Sequence, residues 1–221
     1  MTTYKETEPI QVLIRNELPS DYDRVEEITR KAFYNMYIPG CTEHYLVRTM
    51  RSHPDFIKEL DFVLEADGQI IGNIMYTKAT LTDEAGERKE ILTFGPVSIL
   101  PAYQRRGYGK LLIEHSFEKA ISSGYDTIVI FGDPGNYVSR GFKSCKKFNV
   151  CAENGIFPAA MLVKELKSGA LDGRKWTYAD SPVMHIDEEE ARRYDDSLPP
   201  MEKKETPSQE VFYILANSTI Q

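Results

Sequence analysis

The run Gly95-Pro96-Val97-Ser98-Ile99-Leu100-Pro101-Ala102-Tyr103-Gln104-Arg105-Arg106-Gly107-Tyr108-Gly109-Lys110-Leu111-Leu112 constrains this chain most. It reads as an apolar strand, a short loop, and a basic, glycine-bearing turn that opens directly into a helix, so a helix must pack back onto a sheet. The first turn of a helix leaves backbone N–H groups unpaired at the positive end of its dipole, which favours phosphate oxygens there. Gly107 and Gly109 carry no side chain to block a ligand pressed against the backbone, and successive N–H groups in such a turn form an anion nest. Arg105, Arg106 and Lys110 add charge around the same point. Competing phosphate motifs fail: no Gly-x-x-x-x-Gly-Lys-Ser/Thr occurs, and Leu112 stands where a dinucleotide fingerprint needs its third glycine.

Strand and helix signals surround this unit. Ile10, Val12 and Ile14 alternate with polar residues as a half-buried first strand. Pro19 and Ser20 open a helix, with Ser20 as N-cap, Asp23 in a capping-box position, and Val25, Ile28, Ala32 and Phe33 on one face. Thr42 caps a second helix with Leu46 and Met50 inward, ending before Pro54. Phe62–Ala66 and Ile70–Tyr76 flank Asp67-Gly68, whose positive φ preference suits a tight hairpin. After a turn at Thr82–Glu87, Ile91–Ile99 returns as the strand before the basic turn. The following helix, Gly107 to Ser123, carries a stripe of Ile113, Phe117, Ala120 and Ile121 and stops at Gly124. Ile128-Val129-Ile130-Phe131 is the unbroken apolar run of a central strand, which makes strand, helix and strand a right-handed parallel unit. Phe148–Ala152 and Ala160–Leu166 read as the last two strands.

At 221 residues the chain can bury one core. Its net charge of −7, with the one compact basic cluster at residues 105–110, argues against a nucleic-acid partner and suits cationic substrates. Three sparse cysteines, Cys41, Cys145 and Cys151, point to a reducing compartment rather than a disulfide framework. The four histidines are scattered, so no metal site is expected. Met1–Pro9 lacks the pattern of a targeting signal and no run has membrane-spanning length, so the expected location is cytoplasmic, with no membrane partner.

The run Val97-Ser98-Ile99, Pro101 and Gln104-Arg105-Arg106-Gly107-Tyr108-Gly109 resembles the acetyl-CoA signature of the Gcn5-related N-acetyltransferase (GNAT) superfamily. Tyr137, followed four residues later by Gly141-Phe142, has the spacing that marks a short helix beside the thioester in that superfamily, and Gly132-Asp133-Pro134 before it looks like the YhbS-like branch of predicted acetyltransferases. The resemblance covers roughly residues 10–166. It implies an α/β (α+β) GNAT fold, a mixed central sheet of about seven strands with helices on both faces. It divides the chain into a catalytic domain, 1–166, and a C-terminal extension, 167–221, that packs on the core. In the extension, the acidic run Asp187–Glu190 reads as a solvated helix face, and Val211–Leu215 is a terminal apolar stretch. Whether the extension closes the substrate cleft or makes a homodimer contact is open at this level.

The implied activity is acetyl transfer from acetyl-CoA, as co-substrate, to a primary amine of a small cationic acceptor. Two alternatives stand beside it: a CoA-binding module without turnover, and a transferase of longer acyl chains. Cofactor contacts are expected from Val97, Ser98, Ile99, Gln104, Arg105, Arg106, Gly107, Tyr108, Gly109, Lys110, Asn136 and Tyr137. The resemblance implies that main-chain groups of Val97 and Ile99 pair with the pantetheine arm as an added strand, with the oxyanion near a backbone N–H of that strand. An amine with pKa ~10.4 costs on the order of 4–5 kcal/mol to present neutral at pH 7, so a base or a proton-carrying water is needed. The strand Leu92–Ile99 holds no carboxylate, which leaves Glu43, His44, Glu90 and Asp133, with Asp133 or Glu43 expected nearest a water-relayed path. Tyr137 is expected to hydrogen-bond the departing sulfur, since proton transfer from a phenol of pKa ~10 to a thiolate of pKa ~8.5 is uphill by roughly 2 kcal/mol. The region of Tyr34, Tyr37, Glu43, His44 and Tyr45 tends in the superfamily to line the acceptor side.

Overall fold

The computed structural model describes residues 10–221, so the Met1–Pro9 stretch lies outside the described residues. Strands β1 (Val12–Asn16), β2 (Phe62–Ala66), β3 (Gln69–Asp83) and β4 (Arg88–Ile99) form an antiparallel meander. The β2–β3 hairpin turns on Asp67 and Gly68, both at positive φ. Helix α1 (Tyr22–Phe33) and helix α2 (Glu43–Met50) come between β1 and β2, and α3 (Tyr108–Ser122) follows β4. Strand β5 (Thr127–Phe131) then pairs parallel with β4 and antiparallel with β8 (Met161–Glu165). Between β5 and β8 lie α4 (Pro134–Tyr137), β6 (Lys143–Ser144) and β7 (Val150–Cys151).

Alternation along the strands sorts the core. Val63 and Met75 face α1 and α2 with Val25, Leu46, Val47 and Met50. Their neighbours Phe62, Leu64, Ile74 and Tyr76 face α3 through Leu112, Ile113, Phe117 and Ala120. Helices therefore cover both faces of a mixed sheet.

The main path of the sheet runs β1-β2-β3-β4-β5-β8-β6, seven strands, and two more join off it, making nine. Strand β9 (Trp176–Ala179) belongs to the C-terminal segment and pairs with the far end of β3 and with β7. Residues 167–221 thus contribute to the same sheet, with Trp176 fully buried and its Nε1 donating to the Leu171 carbonyl at 3.0 Å. Beyond β9 come α5 (Glu188–Asp196) and α6 (Pro207–Ala216). The α5 N-terminus is capped by Asp187, whose carboxylate accepts from the N–H groups of Glu189 and Glu190, and the acidic first turn is exposed.

Three local expectations are corrected. Asp21, not Asp23, makes the reciprocal cap: a one-turn 3-10 helix precedes α1 and the Asp21 carboxylate accepts from Leu18 N–H at 2.8 Å. Ile121 is 51% exposed, because the α3 stripe runs through Leu112 and Ser116 and leaves that position facing water. The strand expected over 148–152 shortens to β7 because Cys145–Phe148 tightens into a 3-10 turn, with Ser144 Oγ accepting from Lys146 N–H.

Buried ion pairs hold the outer helices. Arg51 of the α2 C-terminus reaches Glu17 and Glu26, each at 2.8 Å. Arg30 of α1 reaches Asp195 of α5 at 2.7 Å and also donates to the Pro199 carbonyl.

Candidate active site

The site begins where β4 parts from β5. Only Leu92 and Ile128 register across that pair, while β4 stays paired with β3 to Ile99. Between Phe94 and Val97, β4 has one more residue than β3 has between Tyr76 and Ile74. This bulge accommodates Pro96, which has no N–H to offer a ladder. Leu100 N–H donates back to Ile71 O at 2.8 Å, so by alternation the main chain of Val97 and Ile99 faces the opening.

Not all of the expected contacts face that way. The Ser98 main chain points to β3, and its buried hydroxyl donates to Thr29, which donates to Asn73. Ser98 is therefore turned away from the opening. Gln104 Nε2 donates to the Ile99 carbonyl at 2.9 Å, so this side chain pins the loop to the strand end and occupies one of the strand's free acceptors. The Tyr108 ring is buried against Tyr103, which leaves only its main chain for a ligand.

The turn itself is left-handed twice, at Arg105 (φ 59°) and Gly107 (φ 91°). Gly107 is the α3 N-cap, and nothing lies within 4 Å of where its Cβ would be, so backbone conformation rather than space calls for glycine. Arg105, Arg106 and Lys110 are exposed around the free N–H groups of the first turn, and Gly109 sits against Ile99.

The other end of the opening is closed by Tyr137. Asp133 caps α4 by accepting from Gly135 N–H at 2.8 Å. A Cβ on Gly132 would fall 2.6 Å from the Tyr137 ring, so the ring lies directly on that backbone. Gly141, at φ 87°, turns the chain back and brings the fully buried Phe142 against Tyr137 at 5.7 Å and Phe94 at 6.0 Å. The Tyr-x-x-x-Gly-Phe spacing is thus a brace: Phe94, at the point of divergence, and Phe142 both hold the tyrosine ring. Asn136 is exposed, its N–H donating to the Asp133 carbonyl.

Tyr37 and Asp133 lie near Tyr137, and Glu43 lies near Tyr37. Burial raises the Tyr137 hydroxyl well above the ordinary phenol range, with Tyr37 and Asp133 adding to the effect. Burial and then the charges of Glu43 and Asp133 push Tyr37 up to about 12. Burial likewise raises Glu43, against the opposing pull of its own N–H and that of Thr42, which donates to Oε2 at 3.0 Å. Glu43 is thereby made a better proton acceptor near neutral pH.

The remaining base candidates are elsewhere. Glu90 pairs with Lys78 at the far end of β4, nine residues from Ile99 and so roughly 30 Å away along an extended strand. His44 is fully buried, its Nδ1 3.3 Å from Cys41 Sγ and its Nε2 3.4 Å from Asp195, and burial lowers it to about 4. The expected acceptor region also divides: Tyr34 donates to the Met201 carbonyl and Tyr45 to Glu190, both in the C-terminal segment, while Tyr37 and Glu43 face the site. Sequence reasoning missed one group entirely, Phe212 of α6, whose ring lies 4.5 Å from Tyr37. Its only signal was the terminal apolar stretch.

Among the described residues no group of three His, Cys, Asp or Glu side chains is arranged to hold a metal ion. Nor is any helix there long and apolar enough to cross a membrane.

The acetyltransferase (GNAT) family model matches residues 24–144. A relative from Escherichia coli K12, described as an uncharacterized N-acetyltransferase, YhbS, is 26% identical over 163 residues, 73% of this chain and 92% of that protein. The crystal structure of Escherichia coli YhbS in complex with CoA superposes with a TM-score of 0.69 at 22% identity, covering 82% of this chain and 96% of that one. A GNAT family acetyltransferase from Brucella melitensis, in complex with acetyl-CoA, gives 0.62 at 24% identity, with 79% and 99% covered.

Proposed function

The chain belongs to the acetyltransferase (GNAT) family, and on that premise we propose that it moves the acetyl group of acetyl-CoA directly to a primary amine of a small cationic acceptor. The observation that carries this reading is the opening between β4 and β5, bounded by the Gly107 turn at one end and by Tyr137 at the other. That order of parts suits one long ligand with an anionic end and a reactive end.

The N–H groups of the first α3 turn, with Arg105, Arg106 and Lys110, hold the pyrophosphate. The main chain of Val97 and the N–H of Ile99 take the pantetheine arm as an added strand; the Ile99 carbonyl is already engaged by Gln104. Ser98 supports this edge from behind rather than touching the ligand. One of the strand's free N–H groups serves the developing oxyanion. Tyr137, with its raised proton affinity, keeps its proton and donates a hydrogen bond to the departing sulfur. Glu43 accepts the proton of the incoming ammonium, directly or through water, and Asp133 contributes negative charge from the α4 cap. Residues up to 166 form the catalytic unit in this reading, with 167–221 as its complement.

Thiol release from acetyl-CoA in the presence of a panel of primary amines tests the reading. Tyr137→Phe should lower kcat about 10²–10³-fold, with the KM for acetyl-CoA held within about two-fold, because the hydroxyl acts mainly as charge develops on sulfur. Acetyl-CoA bound tightly but never consumed across the panel would instead identify a CoA-binding module.

A further inference from the structure

Helix α6 is fastened at both ends. At its start, Asn35, between α1 and α2, accepts from Lys204 N–H through Oδ1 at 3.0 Å, donates through Nδ2 to the Glu202 carbonyl at 2.9 Å, and accepts from Thr206 Oγ1 on its own carbonyl at 2.8 Å. Ser208 then donates to the Met36 carbonyl. At its end, Ala159 N–H donates to Ser218 O and Ile220 N–H to Phe157 O, a short antiparallel bridge. The next residue, Ala160, accepts from Gly132 N–H, and Gly132 is the backbone on which the Tyr137 ring lies.

A ten-residue helix is about 15 Å long. This one runs from the loop that carries Tyr37 to the strand start beside Tyr137, and Phe212 lies on Tyr37 midway along it. Its neighbours Val211, Tyr213 and Ile214 are 57–64% exposed, against 39% for Phe212. Leu215 is half-buried, and Phe212 is the aromatic of that run whose ring lies on Tyr37.

We infer that α6 is a fixed strap across the acceptor mouth and that Phe212, with Tyr37, is a specificity-determining wall. The strap admits small free primary amines with an apolar or aromatic body and excludes polypeptide amines. The inference rests on the acetyltransferase reading above and deepens it. The two rings offer a flat apolar surface and π-faces to a cation, while Glu43 and Asp133, near Tyr37, add negative charge that attracts the ammonium. A peptide would have to displace a helix held by side-chain-to-backbone hydrogen bonds at its start and backbone hydrogen bonds at its end. A small amine has only to pass beneath it.

The test uses the full chain, with binding of acetyl-CoA measured by calorimetry and turnover measured on two probes, phenethylamine and a lysine-containing hexapeptide. The expected result is acetylation of phenethylamine with kcat/KM at least about ten-fold above that of the hexapeptide. Phe212→Ala should raise the KM for phenethylamine about ten-fold while the KM for acetyl-CoA stays within about two-fold. Val211→Ala, on the outward face, should change neither. A wild-type enzyme that acetylates the hexapeptide as well as phenethylamine, or that binds acetyl-CoA and acetylates neither probe, overturns the inference and leaves the donor reading standing. So does a Phe212→Ala variant with wild-type kinetics. Absence of acetyl-CoA binding by the wild type overturns the underlying reading and the inference with it.

Discussion

The two halves of the proposed site are built in opposite ways. The donor half is almost entirely main chain: a strand edge at Val97 and Ile99, a left-handed glycine at 107, and the first turn of α3. The acceptor half is side chains from three separated segments, Tyr37 and Glu43 between and within α1 and α2, Asp133 and Tyr137 at α4, and Phe212 on α6. Main-chain recognition needs consecutive residues with particular φ and no bulk, which leaves a contiguous motif. Side-chain recognition needs only proximity in space. Supports differ as well: the helices that flank Tyr37 and carry Glu43 are held by buried ion pairs around Arg30 and Arg51, whereas the Tyr137 ring rests on apolar packing with Phe94 and Phe142.

If that contrast is sound, breaking an ion pair should damage the acceptor half first. Asp195→Ala leaves Arg30, 7% exposed, without its carboxylate. Loss of about 3–5 kcal/mol is expected, read as a drop in the denaturant midpoint, with the C-terminal segment becoming protease-sensitive before the core. Glu43→Gln should lower kcat/KM for the amine about 10–100-fold. Wild-type activity should fall as pH drops through the raised Glu43 value, because the base must be ionised, and the variant should lose that acidic limb. Gly107→Ala forces a Cβ into the left-handed region at about 1–2 kcal/mol, so acetyl-CoA affinity should weaken about ten-fold while the tyrosine and carboxylate cluster is untouched.

The smallest effect concerns Asp61, buried beside Glu17 and raised well above the ordinary carboxyl range by burial and by that neighbour. A carboxyl with a raised folded pKa binds its proton more tightly in the native state, so its contribution is full below the unfolded value of ~3.9 and is lost as pH climbs toward the folded value. Asp61→Asn should flatten the decline in stability across that window, measured by thermal melts at several pH values.

The sequence was most legible where structure is local. The Asp67-Gly68 hairpin, the turn at 105–110 and the Tyr137…Gly141-Phe142 spacing each depend on backbone conformations that only a few residue types adopt, and each lies where it was expected. Ser98 and Gln104 show the limit of a motif. Their positions match the pattern, but the Ser98 hydroxyl serves a buried network with Thr29 and the Gln104 amide serves the Ile99 carbonyl. Five residues of similar chemistry between Tyr34 and Tyr45 could not be sorted in advance, because partners 145–167 positions away decide which of them face the site. Strand β9 was hidden for a related reason: Trp176–Ala179 is four residues long and becomes a strand by adding to edges of β3 and β7.

The clamp on Asn35 has a consequence in time as well as space. Everything in the donor half, from Leu92 through the first turn of α3 and with Ile128 of β5, is present well before α6 has been made. The hydrogen bonds that seat α6 join residues 167–172 positions apart. Because synthesis proceeds from the N-terminus and domains organise as they emerge, the growing protein holds a formed donor groove well before its acceptor mouth has a roof. In the proposed function, selectivity for the amine is acquired after the donor groove, and a ribosome stopping before residue 207 would release a protein with the groove and without the filter.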